Sequence, residues 1–377
     1  MDLEKIKDPK LIGVVGGGQL GKFFVQAAQN MGYQVAVLDP DEHSPAMSIA
    51  DIKIISAYDD FTNLARLGHI CTAVTTEFEN VPAESFKMLS VLSKTSPHAD
   101  ALHIAQNRVR EKTYLKENDF ELADFVIVNS EEDLICDLYP AILKLAGEGY
   151  DGKGQCKVNT SAEAIEAYRS FGSKQSVLEK KINFDCEVSV ILARNPRGEI
   201  VTYPVIENQH QDGILKMSLA PARISFNQAK SAKDIAIRLA KCLNYVGVLA
   251  VEFFVVGDRI LINEIAPRPH NSGHLTMLAA DHSQFEQQVR CLCNLPLANS
   301  DLKTSSVMIN VLGDVWNPNE PNWNDILAGT SGHLELYGKK QARPKRKMGH
   351  ITFLNPWLDV CIEQANMVLP RLYGNAA

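Results

Sequence analysis

Two glutamates stand inside apolar runs, Glu252 in LAVEFFVV and Glu264 in LINEIAPR. Carboxylates that meet in strand interiors repel unless cations neutralise them, and a magnesium ion held by one or two carboxylates plus substrate phosphates is the ordinary solution. The two runs join at Gly257-Asp258, a hairpin dipeptide in inverted order. A plain two-residue loop sets Asn263, not Glu264, opposite Glu252, so convergence of the pair requires a bulge or a different loop length.

Lys144, in AILKLA, poses the same problem with the opposite sign, because an ammonium in an apolar strand is poorly solvated unless it meets an anion. The GEGYDGKGQ that follows matches G-x-x-x-x-G-K from Gly147. Gly154, however, stands where a Walker A loop needs Ser or Thr, and QCKVNT reads as a strand rather than a long helix, which argues against a P-loop. Glycines 147, 149, 152 and 154 around Tyr150, Asp151 and Lys153 read as a flap whose N–H groups cover polyphosphate. The bland alternative is a solvated Asp-Gly turn with Lys153 in water.

Near the start, Gly16, Gly18 and Gly21 match G-x-G-x-x-G after an apolar run, and Asp39 lies 18 residues beyond Gly21, where a dinucleotide fold places its ribose acid. A nicotinamide oxidoreductase is therefore the competing reading from another class. It is weakened because only about 100 residues of mononucleotide-type fold precede a different pattern. Arg268 and His270 follow the second acidic strand in RPHNSGH, and Lys339 to Lys347 hold six basic residues among nine. In a chain of net charge -7, that run reads as a solvated face or a local phosphate clamp, not a nucleic-acid surface.

These residues need elements to position them. LIGVVG, LGKFFVQAAQNMG and QVAVLD read as strand, helix and strand, opening a doubly wound parallel sheet continued by DIKIIS and AVTTEF, with ESFKMLSVLSK as a helix. From residue 101 loop-joined strands outnumber crossover helices, so an antiparallel α+β region is expected, with helices at SAEAIEAYRSF and DIAIRLAKCLN. After Pro296 the chain reads as polar and loop-rich, ending in short strands such as SGHLELYG and MGHITFL. With 45% hydrophobic and 22% charged residues in 377, a globular chain of two or three domains is expected. Eight cysteines without a C-x-x-C pair read as reduced, mostly buried thiols, and neither a signal peptide nor a membrane span is apparent, so a cytoplasmic location is expected.

In chain order, GVVGGGQLGKF, TTEFENVP, AQNRVREK, EGYDGKGQ, LEKKINFDCEVSV, ENQHQDGIL, APAR, VGVLAVEFF, NEIAPRPHNSGH and RKMGHI resemble the ATP-grasp superfamily. Within it they resemble the 5-(carboxyamino)imidazole ribonucleotide synthase family of purine biosynthesis, over nearly the whole chain. The resemblance implies a pre-ATP-grasp, Rossmann-like α/β domain (1–100), an ATP-grasp domain of two α+β lobes (101–296) with ATP between them, and a small β-rich C-terminal domain (297–377). It implies an ATP-dependent carbon-nitrogen ligase that carboxylates aminoimidazole ribonucleotide with bicarbonate through carboxyphosphate, uses Mg2+ and forms a homodimer.

Carried over residue by residue, the resemblance makes Arg108 and Lys144 the nucleotide-phosphate cations, Gly149, Tyr150, Asp151, Gly152, Lys153, Gly154 and Gln155 the flap, and Glu179, Lys180, Lys181 and Ile182 the adenine hinge. Glu187 is the ribose acceptor, His210 a further nucleotide contact, Asn263 and Glu264 nucleotide contacts, and Glu252 with Glu264 the metal pair. Gly18, Gln19, Leu20, Glu77, Tyr150, Arg346 and Lys347 face the ribonucleotide. Asp151, Lys153, Arg268, His270 and Lys347 are the catalytic group. Two departures stand out: Glu148 occupies a position where the family carries glycine, and Ala266 replaces the metal-binding Asn of many other ATP-grasp enzymes, as this branch does. A formate- or biotin-using ATP-grasp ligase and an inactive nucleotide-binding module are the alternatives within the same fold.

Overall fold

The computed structural model describes residues 10–147, 154–317 and 319–374. Strands β1 (Leu11–Val15), β2 (Gln34–Asp39), β3 (Ile52–Ile55), β4 (Ala73–Thr76) and β5 (Lys94–Ser96) form a parallel sheet in the order β3-β2-β1-β4-β5. β1 and β2 are continuous apolar runs because helices cover both faces of the sheet. Helix Gln19–Asn30 packs Phe23, Phe24, Val25 and Ala28 on one face, and helix Phe61–Ile70 buries Leu64 and Leu67 on the other. The second helix starts on Asp60, whose carboxylate accepts the Thr62 and Asn63 amides, a cap worth about 1 kcal/mol.

Strands β6 (Phe125–Val128), β7 (Ala141–Leu145), β8 (Gln155–Val158) and β9 (Ser176–Lys180) form a second, antiparallel sheet ordered β6-β9-β7-β8 and backed by helix Ser161–Ser170. QCKV is thus a strand, as expected. The third sheet comprises β10 (Cys186–Arg194), β11 (Ile200–Thr202), β12 (Ile206–Gln211), β13 (Ile214–Ala220), β14 (Gly247–Val256), β15 (Arg259–Ala266), β16 (Ser305–Leu312), β17 (His333–Leu336) and β18 (Lys347–Asn355). Its order is β15-β14-β10-β12-β13-β16-β18-β17, with β11 beside β10 and every pairing antiparallel. Helix Phe226–Cys242, opened by a Ser225–Gln228 capping box, buries Ala232, Ala236 and Leu239 against Val190, Leu249 and Val251.

The C-terminal stretch departs from its loop-rich reading. β16 and β18 carry the nine-stranded sheet onward, and helix Leu358–Tyr373 buries Cys361, Ala365, Val368 and Leu372 against them. Two signals hide this in the sequence, one polar and one a helix breaker. Asn310 interrupts the apolar run of β16 but is buried, donating to the Leu215 carbonyl and Asn271 Oδ1, and Pro370 falls in the helix's last turn, just before its Gly374 terminus. The cysteines are free, but only Cys71, Cys291 and Cys361 are buried; Cys242 is exposed and the rest are half-buried, fewer buried than expected. No described helix is long and apolar enough to cross a membrane.

Candidate active site

The β14–β15 hairpin contains the bulge that convergence of the carboxylates demands. Val251 pairs with Ile265 and Glu252 with Glu264, but the next pair is Phe253 with Ile262, so Asn263 is the extra residue. Glu252 and Glu264 therefore lie directly opposite each other. Asn263 Oδ1 beside them is buried and unpartnered, and among the described residues the Glu264 carboxylate takes no hydrogen bond. Two carboxylates and an orphan amide oxygen are an all-oxygen donor set suited to a hard divalent cation such as magnesium. Burial would push the Glu252 carboxyl up, but His270 Nε2 at 3.1 Å and the positive charges of His210 and Lys347 hold it at about 2.

On the side of the smaller antiparallel sheet, the anion that Lys144 meets is Glu179: Lys144 Nζ on β7 donates to Glu179 Oε2 on β9 at 3.0 Å, and Lys112 Nζ lies 3.3 Å from the same oxygen. Burial opposes ionisation of Glu179, and the two ammonium groups overcome it, leaving the carboxyl at about 2. Glu179 Oε1 is buried without a partner. Lys180 continues β9, and Lys181 and Ile182 follow it, the Lys180 and Lys181 amides donating to the Asp124 and Pro140 carbonyls. Gly154, at φ +66°, leads into Gln155 at the start of β8, and the Arg108 amide donates to the Ala146 carbonyl at 2.7 Å. Glu187 on β10 and His210 on β12 bond to each other through Oε2 and Nδ1. Of the residues expected to form the flap, Gly149, Tyr150, Asp151, Gly152 and Lys153 lie outside the described residues, as does the departure at Glu148.

At the parallel sheet the opening glycines meet a carboxylate of the chain itself. Glu77, just past β4, accepts the Gly18 amide at 2.6 Å and the Gly21 amide at 2.9 Å, so it occupies the positive end of helix Gln19–Asn30, where Gln19 and Leu20 also sit. Burial raises the Glu77 carboxyl despite both amides. Gly16 has φ +101°, and a Cβ on Gly18 would stand 2.3 Å from Glu77 Oε1. Gly18→Ala is therefore expected to lose about 2 kcal/mol by displacing Glu77 from its amides; equilibrium denaturation checks this, and a loss below about 0.5 kcal/mol would show that the turn adapts. Asp39 accepts from the Gly17 amide, the Tyr58 hydroxyl and the Asp41 amide, and so serves as the turn's brace rather than a ribose acid. The nicotinamide reading falls with it.

Arg268, just beyond β15, forms a two-point pair with Glu79, Nη2 to Oε1 at 3.1 Å and Nε to Oε2. His270 bonds Ser272 through Nδ1 at 2.9 Å and faces Glu252 through Nε2. Lys347 opens β18 within electrostatic reach of Glu252, whereas the Arg346 side chain turns to its own loop, Nη1 donating to the Gln341 carbonyl. The structure thus gathers Glu252, Glu264, Asn263, His210, Arg268, His270 and Lys347 into one cluster, with Glu77 and Glu79 on one flank and Lys144 and Glu179 on another.

Sequence reasoning missed Glu79, Glu111 and Lys112. Glu79 belongs to TEFEN, two residues after Glu77. Glu111 and Lys112 are both buried on helix Arg108–Glu117, Lys112 donating to the Asn263 carbonyl at 2.8 Å and Glu111 accepting the Ile265 amide at 2.9 Å. The available signal was Arg108, Glu111 and Lys112 at i, i+3 and i+4, one charged face on a helix without an apolar stripe.

These groups shape the pH dependence of stability. Glu79 is pushed up by burial but held at about 2 by Arg268, and Glu179 stands at about 2, so both are lowered from 4.5. Their stabilisation is complete above about pH 4.5 and is lost as pH falls towards 2. Glu111 runs the other way: burial and the nearby Glu264 charge raise it to about 8 against the pull of Lys112. Its contribution is complete below about pH 4.5 and is lost as pH rises through 8, by about 1.4 kcal/mol per pH unit. Denaturation across pH 2–9 is expected to give a maximum near the acid side of neutrality, with Glu111→Gln flattening the upper limb; an unchanged upper limb would remove Glu111 as its source.

Two α+β lobes, a carboxylate pair on a bulged hairpin at one, and a lysine–glutamate network at the other define an ATP-grasp ligase. Family models agree: the Ribonucleotide synthetase preATP-grasp domain matches residues 10–106, the ATP-grasp domain 113–285 and the Phosphoribosylaminoimidazole carboxylase C-terminal domain 306–364. The chain is 41% identical over 363 residues to N5-carboxyaminoimidazole ribonucleotide synthase of Brucella melitensis, covering 94% of this chain and 99% of that protein. It is 40% identical over 359 residues to the Bacillus subtilis enzyme of the same name, covering 94% of each. The crystal structure of an N5-carboxyaminoimidazole ribonucleotide synthetase with ADP aligns at a TM-score of 0.90 and 40% identity over 96% of this chain and 97% of the other. The Aspergillus clavatus enzyme with ADP and 5-aminoimidazole ribonucleotide aligns at 0.87 and 28% identity, over 97% and 98%. The chain belongs to the N5-carboxyaminoimidazole ribonucleotide synthase family.

Proposed function

We propose that this chain carboxylates 5-aminoimidazole ribonucleotide to 5-(carboxyamino)imidazole ribonucleotide, consuming ATP and bicarbonate in purine biosynthesis. The observation that carries the reading is the bulge at Asn263, which sets Glu252 and Glu264 opposite each other between the Lys144–Glu179 network and the Arg268–His270 cluster.

Bicarbonate carbon is a poor electrophile because it is flanked by negative oxygen. A bicarbonate oxygen attacks the γ-phosphorus of ATP, the bond to the β-phosphate oxygen breaks, and ADP and carboxyphosphate form. Arg108, Lys144 and the amides of the flap, Gly149 to Gln155, neutralise the transferring group, with the hinge Glu179 to Ile182, Glu187 and His210 holding the nucleoside. Glu252 and Glu264, with Asn263 beside them, would hold Mg2+, which supplies positive charge at the phosphoryl oxygens.

The exocyclic amine of the ribonucleotide then attacks the carboxyl carbon, directly or after CO2 is released in the closed site. The carbon–oxygen bond to phosphate breaks, and the amine proton passes to Asp151. Arg268, His270, Lys153 and Lys347 hold bicarbonate and the intermediate, while Gly18, Gln19, Leu20, Glu77, Tyr150 and Arg346 bind the ribonucleotide. We place the working parts at 1–100, 101–296 and 297–377, in a homodimer acting in the cytoplasm.

The test is ADP formation from ATP, magnesium and bicarbonate, with and without aminoimidazole ribonucleotide. Strong stimulation by the ribonucleotide, with bicarbonate carbon in an acid-labile product, is expected. Absence of stimulation in folded, ATP-binding protein would overturn the substrate assignment and turn attention to formate and biotin.

A further inference from the structure

Glu111 and Lys112 are adjacent and buried, and the chemistry above uses neither. Their partners are the two peptide groups that flank Glu264: Lys112 Nζ donates to the carbonyl of Asn263 at 2.8 Å, and Glu111 Oε1 accepts the amide of Ile265 at 2.9 Å. β15 is the edge strand of the nine-stranded sheet, so its outer backbone groups lack a neighbouring strand. At Ile262 the chain covers that edge itself, the Ile262 amide donating to the Glu121 carbonyl at 2.8 Å. Beyond that bridge, Glu111 and Lys112 take over, and each buried backbone group they satisfy would otherwise cost about 1–3 kcal/mol.

The alternative to the bulge is well defined. If β15 slipped to the plain hairpin register, Asn263 would face Glu252, and Glu264 would turn to the opposite side of the sheet. The carbonyl of Asn263 and the amide of Ile265 are the groups whose direction distinguishes the two registers.

We propose that Glu111 and Lys112 form a two-point clamp that fixes the bulge in β15 and so aims Glu264, acting as positioning residues rather than metal ligands. This rests on the reading of Glu252 and Glu264 as the metal pair. Through its second contact, to Glu179 on β9, Lys112 ties the bulge to the other antiparallel sheet, so both sides of the nucleotide site share one ammonium group.

The experiment measures Mn2+ binding by loss of the free-ion paramagnetic resonance signal, with a non-hydrolysable ATP analogue present, so the readout is independent of turnover. Glu264→Gln tests the underlying reading: unchanged Mn2+ affinity there overturns the metal pair itself. Given weakened binding in Glu264→Gln, Lys112→Met and Glu111→Leu are expected to weaken Mn2+ about 10- to 100-fold, as loss of groups that orient metal ligands does. Glu111→Gln keeps an acceptor for the Ile265 amide and should remain within about twofold of wild type, since the backbone bond is preserved. Wild-type affinity in folded Lys112→Met overturns the clamp. Equal losses in Glu111→Gln and Glu111→Leu also overturn it, by making Glu111 a ligand. Should the apolar variants fail to fold, hydrogen exchange of the unmodified protein decides: a protected Ile265 amide is expected, and fast exchange there refutes the clamp.

Discussion

Glu264→Gln is expected to lower kcat/KM for ATP about 100- to 1000-fold and to raise the magnesium concentration needed for half-maximal rate. The substitution keeps the shape and one oxygen of the side chain but removes the charge. Glu252 cannot compensate, because His270 already shares its carboxylate and holds it at about 2. Stability should move little. Glu264 takes no hydrogen bond among the described residues, and its charge both raises the carboxyl of Glu111 nearby and favours the charged Arg268 guanidinium, so the effects of its removal oppose each other. Large catalytic loss with intact stability separates a ligand from a structural residue. Steady-state kinetics over a magnesium series, alongside denaturation, measures both, and kcat/KM within about threefold of wild type would remove Glu264 from the transition state's charge balance.

What the sequence conveyed depended on how local the determining interaction was. The parallel sheet was legible because β1 and β2 are buried on both faces and read as apolar runs. The carboxylate pair was legible because glutamate inside a strand is conspicuous, and hairpin arithmetic required a bulge or a different loop length for convergence, of which the structure has the bulge. The resemblance supplied the roles expected of the residues proposed to bind the nucleotide, which spacing alone leaves open. Hidden were partners settled only by long-range contact. Glu79 meets Arg268 189 residues away, and Lys112 reaches Asn263 across 151. Both look like ordinary surface charges in sequence. The glycine turn was misleading in a different manner: its amides suit an anion, as expected, but the anion they meet is the carboxylate of Glu77, brought alongside by the β1–β4 pairing.

Arg268→Met is expected to cost about 3 kcal/mol at neutral pH, the typical penalty when one partner of a buried ion pair is removed. Arg268 is largely buried, its guanidinium is held charged by Glu79, Glu77 and Glu264, and it forms a two-point bond to Glu79. Removing it leaves Glu79 desolvated and unpaired beside further carboxylates. The deficit should shrink on acidification, because a carboxyl deprived of its guanidinium and still buried becomes protonated at higher pH than in the wild type, where it stands at about 2. Combining Arg268→Met with Glu79→Gln should recover most of the loss, since an uncharged amide needs no counter-ion. Denaturation of the two single variants and the double variant at two pH values gives the coupling directly. A double variant as unstable as the sum of the singles would show that Arg268 stabilises the junction between the parallel sheet and the end of β15 through packing, and that the pairing with Glu79 contributes little.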